Sequence, residues 1–173
     1  MTYHYYIDGY NLLHVLHQHK KTKYNDLEQE REKLIHLLQE FSAISGSKIT
    51  VVFDGASHEQ QNLTHSKNSK TIASVQILFS PRGSDADSVI EHYVYRETEK
   101  ENTFVVSCDH TLRETCIGMG VYVMRPERFL KYFSQIQHSI TIQHKYTPPP
   151  PPIDTPLREK LLPFLTKIQN KDK

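Results

Sequence analysis

Four short runs rich in β-branched and aromatic residues recur along this chain, and an acid follows each one. Residues 2–7 lead into Asp8, residues 48–53 into Asp54, residues 71–80 into the Asp85/Asp87 pair, and residues 103–107 into Asp109. Such runs read as strands. Residues 48–53 are almost continuously apolar, the pattern of a central parallel strand buried on both faces. Between the runs, apolar residues recur at three- and four-residue spacing, as helices require. Leu12, Leu13, Val15 and Leu16 mark a short helix. Leu27, Leu34, Leu37, Leu38, Phe41 and Ile44 mark a longer one, with Asn25 or Asp26 as its cap and Gly46 after its end. Ala86, Val89, Ile90, Tyr93 and Val94 form the stripe of a helix running to about Glu99. Residues 110–117 form another short helix, residues 121–124 a fifth strand, and Pro126 opens a last helix carrying Phe129, Leu130 and Phe133. Alternating strands and helices indicate an α/β fold with a mainly parallel sheet.

Ligands of an open parallel sheet bind at the carboxyl ends of its strands. Asp8, Asp54, Asp85/Asp87 and Asp109 would therefore gather along one edge. Bare carboxylates there repel one another, and some would stay protonated. A hard divalent cation, Mg2+ or Mn2+, removes the conflict with oxygen ligands. Acid clusters of this kind serve phosphodiester hydrolysis, in which the metal lowers the pKa of water and offsets charge on the phosphoryl oxygens.

Each acid has a plainer reading as a turn former or helix cap. That reading is strongest at Ser84-Asp85-Ala86-Asp87, which resembles a capping sequence. On a helical wheel Asp85 and Asp87 point to nearly opposite flanks. Ile90, Glu91 and Val94 lie below Asp87 at helical spacing, so Asp87 is expected to face inward, with Asp85 a cap or an outer metal ligand. Asn11 is a helix cap or a donor to the first acid, and Gly9 is expected to let the backbone turn away from the site. Ser107 orients Asp109 or closes its strand. Glu91 is a further acid or a solvated helix residue. Ser107, Asp109 and His110 do not make a hydrolase triad, because no Gly-x-Ser-x-Gly elbow is present. His14, His17 and His19 lack the His-Glu-x-x-His or Cys-x-x-Cys context of a zinc site. Gly118-Met119-Gly120 precedes a strand and is a turn, not a dinucleotide fingerprint.

At 173 residues one domain is expected. The net charge of +1 is no global signal for nucleic acid, although a local basic patch remains compatible with it. Candidate RNA contacts are Tyr10, as a stacking platform, with Lys20, Lys21, Lys67, Lys70 and Arg82 on neighbouring loops. Taken singly, each reads better as an ordinary solvated loop residue. Two cysteines are too few for a disulfide framework and suit a cytoplasmic chain. No apolar run reaches the length of a membrane span, and the N-terminus lacks the form of a signal peptide. Residues 139–145 alternate like an isolated strand. Residues 147–156, with prolines at 148–152, are a semi-rigid polyproline segment. The expected divisions are residues 1–137 as the folded domain, 138–156 as linker, and 157–173 as a tail with a short helix.

Together, Ile7-Asp8-Gly9-Tyr10-Asn11-Leu12-Leu13, Val51-Val52-Phe53-Asp54-Gly55, Asp85-Ala86-Asp87-Ser88-Val89-Ile90-Glu91 and Val105-Val106-Ser107-Cys108-Asp109 resemble the YacP-like branch of the NYN family, within the PIN-like nucleases. The resemblance spans residues 3 to about 133 and leaves out the proline tract and tail. It implies a three-layer PIN-like α/β/α sandwich with a mainly parallel sheet of about five strands. It also implies a divalent metal and endoribonuclease activity, with single-stranded messenger RNA as the expected substrate. Asp8, Asp54, Asp87 and Asp109 take the acidic site positions, with Asn11 beside them. Asp8, Asp87 and Asp109 would hold the metal, and Asp54 would do so directly or through water. The family also includes ribosome-associated RNases, so a ribosome-linked role is compatible with it. This chain departs where the family usually has Thr-Ala-Asp, because Asp85 replaces the threonine. Two other readings stand beside the nuclease: a non-catalytic RNA or ribosome adaptor, and a haloacid-dehalogenase-type phosphatase. The last wants Asp-x-Asp after the first strand, where this chain has Tyr10. The oligomeric state is not legible.

Overall fold

The computed structural model describes residues 2–20, 27–55, 69–72 and 74–142. In chain order the elements are β1 His4–Asp8, α1 Gly9–Lys20, α2 Leu27–Ser45, β2 Lys48–Phe53, β3 Ser69–Ile72, β4 Val75–Phe79, α3 Ala86–Arg96, β5 Thr103–Val106, α4 His110–Gly118, β6 Tyr122–Met124 and α5 Pro126–Ile142. A short 3-10 turn, Lys100–Asn102, leads into β5. The strands form one sheet in the order β3-β4-β2-β1-β5-β6, parallel throughout except for β3, which runs antiparallel along β4.

Side chains alternate across this sheet because successive strand residues face opposite sides. Tyr5, Ile7, Val51, Phe53, Phe104 and Val106 pack with Leu12, Leu13, Leu34, Leu38, Phe41, Phe129 and Phe133 of α1, α2 and α5. Tyr6, Val52, Leu78, Val105 and Val123 pack with Ala86, Ile90, Val94, Leu112 and Cys116 of α3 and α4. The result is the expected three-layer sandwich. β1 and β2 are central and covered on both sides, which explains why they read as apolar runs.

The register sets the functional edge. Asp8 stands level with Val52, Phe53 with Phe79, Ile7 with Val106, and Val106 with Met124. The chain therefore leaves β1, β2, β4 and β5 at nearly the same height, and the acids follow at that height.

Several sequence expectations change. The run at residues 71–80 is a hairpin, β3 and β4, so the sheet has six strands. The helix expected to reach Glu99 stops at Arg96, because Glu97 turns extended and its N–H bonds to the Val94 carbonyl. The first residues of the expected strand at 139–145 belong to α5, which continues to Ile142, beyond the boundary expected at residue 137. The Asn25/Asp26 cap, the loop after β2 and the tail helix lie outside the described residues.

Candidate acidic site

Asp8 ends β1 and caps the helix that follows. One of its oxygens accepts the Asn11 N–H at 3.0 Å and the other accepts the Asn11 side-chain amide. Asp109 caps α4 in the same way, accepting the Leu112 N–H at 2.8 Å, and Asp85 caps α3 through the Ser88 N–H at 2.8 Å. Asp54 serves a helix that is distant in sequence, accepting the Ala86 N–H at 2.5 Å. The plain capping role and the site position therefore coincide at three acids. A helix N-terminus favours negative charge, so it can hold a carboxylate at a strand end. Asp87 differs: it lies in the first turn of α3, and among the described residues no hydrogen bond holds its carboxylate.

Asn11 connects two strand ends. Its amide nitrogen donates to Asp8 while its oxygen accepts the Cys108 N–H at 2.9 Å, binding the end of β1 to the segment after β5. Ser107 is fully buried, and its hydroxyl accepts the Asp109 N–H at 3.0 Å. Arg113 donates to the Ser107 and Cys108 carbonyls at 3.3 and 3.1 Å. Residues 107–109 are thus held by side chains on both sides, which presents Asp109 on a fixed backbone. The arginine was not singled out from the sequence. Its only signal there is its position one turn into the helix that Asp109 caps.

Gly9 acts differently from its expected role as a turn residue. It is the first residue of α1, and a Cβ on it would lie 2.3 Å from the Phe53 ring. Glycine is needed because that ring, immediately before Asp54, packs against the backbone immediately after Asp8. Gly55, with φ of +82°, then turns the chain out of β2 in a conformation that side chains resist.

Asp8, Asn11, Asp54, Asp85, Ala86, Asp87, Cys108 and Asp109 line one cleft of about 340 Å³. Burial, with the charge of Asp54, pushes the Asp8 carboxyl up to about 6. Burial also pushes Asp87 to about 6, and the charges of Asp8, Asp109, Asp85 and Asp54 add to the rise. The bond from Ser88 holds exposed Asp85 below the usual carboxylate range. A cleft dominated by carboxylate oxygens, driven toward protonation by burial and by one another, fits a hard divalent cation. Among the described residues, however, no three acids already stand together as a ready-made metal site.

The raised carboxyls set a pH dependence. Their folded pKa of about 6 lies above the ordinary aspartate value of 3.8, so the folded state binds these protons more tightly. Acidification through about pH 6 should therefore stabilise the metal-free protein through these groups. Burial lowers the pKa of His4 and works the other way, so the contribution of Asp8 is best read as a difference. In EDTA, Asp8→Asn should be the more stable protein at pH 7.5, and the gap in urea midpoints should narrow as the pH falls from about 6 toward 3.8. A gap that widens on acidification would contradict this.

The other candidate residues are dispersed. Glu91 is half-buried one turn beyond Asp87 and does not line the cleft. The Tyr10 ring is half-buried and edge-on to Phe53 at 5.4 Å, part of the packing beneath the site rather than an open platform. Arg82 is exposed on the turn before α3. Lys20 closes α1, about 16 Å along the helix from the site. The backbone of Lys70 pairs with Ile77 in the hairpin. Lys21 and Lys67 lie outside the described residues.

The family model described as YacP-like NYN domain matches residues 5–170, which includes the proline tract and most of the tail that the motif resemblance left out. The chain is 26% identical over 135 residues to the Bacillus subtilis (strain 168) protein named "Uncharacterized protein YacP", covering 78% of this chain and 76% of that one. The crystal structure of Rae1 (YacP) from Bacillus subtilis matches with a TM-score of 0.64 at 21% identity, covering 99% of this chain and 89% of that one. A point mutant of the same protein matches with a TM-score of 0.64 at 22% identity over 82% and 80%. The two structures support the fold.

Proposed function

The chain belongs to the YacP-like NYN domain family, a family of nuclease type, and from that premise we propose that it is a divalent-metal-dependent endoribonuclease acting on single-stranded RNA. The supporting observation is the cleft in which Asp8 and Asp87 are both raised to about 6 by burial and by neighbouring carboxylates. Asp8, Asp87 and Asp109 would hold Mg2+ or Mn2+, with Asp54 as a direct or water-mediated ligand. The bound cation would supply an acidified water and offset charge on the phosphoryl oxygens.

The residues of the chain do the positioning. Asn11 fixes the rotamer of Asp8 and its distance from the β5 end. Ser107 and Arg113 fix the backbone that carries Asp109. One oxygen of Asp54 is occupied by the Ala86 N–H, leaving the other for the cleft. Asp85 is occupied by Ser88 and exposed, which makes it a cap at the mouth of the site. Messenger RNA as substrate and action at the ribosome belong to the proposal through the motif resemblance alone.

The test is cleavage of labelled single-stranded RNA by purified protein with Mn2+ or Mg2+, on and off ribosomes. Asp87→Asn should lose about a hundredfold or more in rate. Asp85→Asn should stay within about fivefold of wild type, because asparagine caps a helix as well as aspartate. Equal losses at 85 and 87 would refute this division of roles, and no cleavage under any of these conditions would refute the nuclease. The second reading, a non-catalytic RNA or ribosome adaptor, draws on the absence of a ready-made ligand set among the described acids. It requires RNA binding in EDTA and an Asp87→Asn protein that behaves as wild type. No helix among the described residues is long and apolar enough to cross a membrane.

A further inference from the structure

Among the described residues, none that lines the acidic cleft carries a cationic side chain, so its acids by themselves repel the phosphates they would act on. Most affinity for a nucleic-acid strand comes from cations on its phosphates. The described cations nearest to hand lie beside the cleft.

A second groove, of about 590 Å³, lies one strand over. Among the described residues it is lined by Arg113, Arg125, Arg128 and Lys131, with Glu127 as the one acid. The topology places it next to the cleft. Val106 pairs with Met124, and the Ser107 N–H bonds to the Met124 carbonyl at 3.2 Å. Arg125, the next residue, therefore leaves the sheet edge beside Ser107. Arg113 spans both places, because it lines the groove while its guanidinium grips the Ser107 and Cys108 carbonyls.

The spacing of the cations gives the groove a direction. Arg125, immediately before α5, and Arg128 and Lys131 in its first turns recur every three residues, so they descend one flank of that helix. β6 is the edge strand, and α4 and α5 lie on opposite faces of the sheet. A groove between Arg113 of α4 and the flank of α5 therefore passes over the β6 edge.

We propose that Arg113, Arg125, Arg128 and Lys131 form a track for the phosphodiester backbone of single-stranded RNA, which enters or leaves the acidic cleft over the β6 edge. Only the identity of the polyanion rests on the nuclease reading. Phosphate contacts position a strand without reading its sequence. The track therefore supplies affinity and register, and little discrimination among bases.

The test uses the full chain and a labelled oligouridylate twelve nucleotides long. Binding is followed by anisotropy in EDTA across a salt series. Arg125→Ala/Lys131→Ala is compared with wild type and with Arg96→Ala, an exposed cation at the far end of α3. Arg113 is left intact because it holds the site backbone. The double variant should bind roughly tenfold more weakly at low salt, and its log-log salt slope should shrink by about 1.4, or about 0.7 per contact. Arg96→Ala should match wild type in both. With Mn2+, cleavage of the oligonucleotide should fall through KM, while hydrolysis of bis(p-nitrophenyl) phosphate stays unchanged. An unchanged slope in a folded double variant overturns the track, as does an equal loss with Arg96→Ala or on the small ester. Displacement of bound protein by polyglutamate but not by RNA assigns the groove to an acidic protein instead and also overturns it. A changed slope with no cleavage by any variant supports the track and removes the nuclease. Asp8-dependent cleavage with an unchanged slope does the reverse.

Discussion

Asp8→Asn should reduce metal-dependent RNA cleavage by at least about a thousandfold while leaving the metal-free protein no less stable than wild type. The two halves of this expectation have one cause. Asp8 is only 4% exposed and is pushed up to about 6 by burial and by Asp54. A buried carboxylate with a raised pKa opposes folding at neutral pH. Its two bonds from Asn11 offset part of that effect. Asparagine at position 8 keeps the cap on α1 and removes the charge, at the loss of one bond from the Asn11 amide. The net change in EDTA at pH 7.5 should be a gain of about 1 kcal/mol. Added Mn2+ should stabilise the wild type and leave the variant unmoved, since a ligand stabilises only the state that binds it. Thermal melts with and without Mn2+ read this directly. A variant that is destabilised in EDTA would show that Asp8 is a structural carboxylate, and the case for a metal would weaken with it.

Gly9→Ala should lower stability by about 2 kcal/mol and activity by more than that loss explains. The Cβ would meet three atoms of the Phe53 ring, at 2.3, 2.5 and 2.9 Å. The ring has no room to retreat: it is fully buried, stacked on Phe79 at 5.8 Å and edge-on to Tyr10. Overpacking of this kind costs about 1–3 kcal/mol. The better helix propensity of alanine offsets little at the first position of a helix. Any displacement of Phe53 moves Asp54, the next residue, relative to Asp8. Phe53→Leu introduced into Gly9→Ala should recover part of the stability, giving a double-mutant coupling of about 1–2 kcal/mol. A Gly9→Ala protein with a wild-type denaturation midpoint would show that the contact relaxes freely.

The fold was largely legible because its strongest signals are local. Residues 48–53 announce a strand buried on both faces, and Leu34, Leu38 and Phe41 announce a helix face. The acids were legible because each directly follows a recognisable strand or opens a helix. The hairpin within residues 69–79 was missed because one antiparallel pair reads as one long strand when only alternation is counted. The helical fate of residues 139–142 was missed because short runs of Ser, Ile and Thr fit either period, and α5 decides by continuing from packed turns. The basic groove was missed because the overall charge is near zero and Arg113 is twelve residues from Arg125. Only the β5–β6 pairing makes them neighbours.

The sequence by itself determined the alternation of strands and helices, the mainly parallel sheet and the edge on which the acids emerge, because periodicity and strand-end chemistry are properties of contiguous residues; the three layers were implied by the family resemblance. Tertiary structure alone decided how those acids differ. It buries Asp8, spends Asp85 on a cap, turns Asp54 toward the Ala86 N–H and leaves Asp87 among like charges. It also gave Gly9 its role and placed the cations beside the cleft. Each of these depends on desolvation or contact between groups far apart in the chain, and neither quantity exists until the chain has folded.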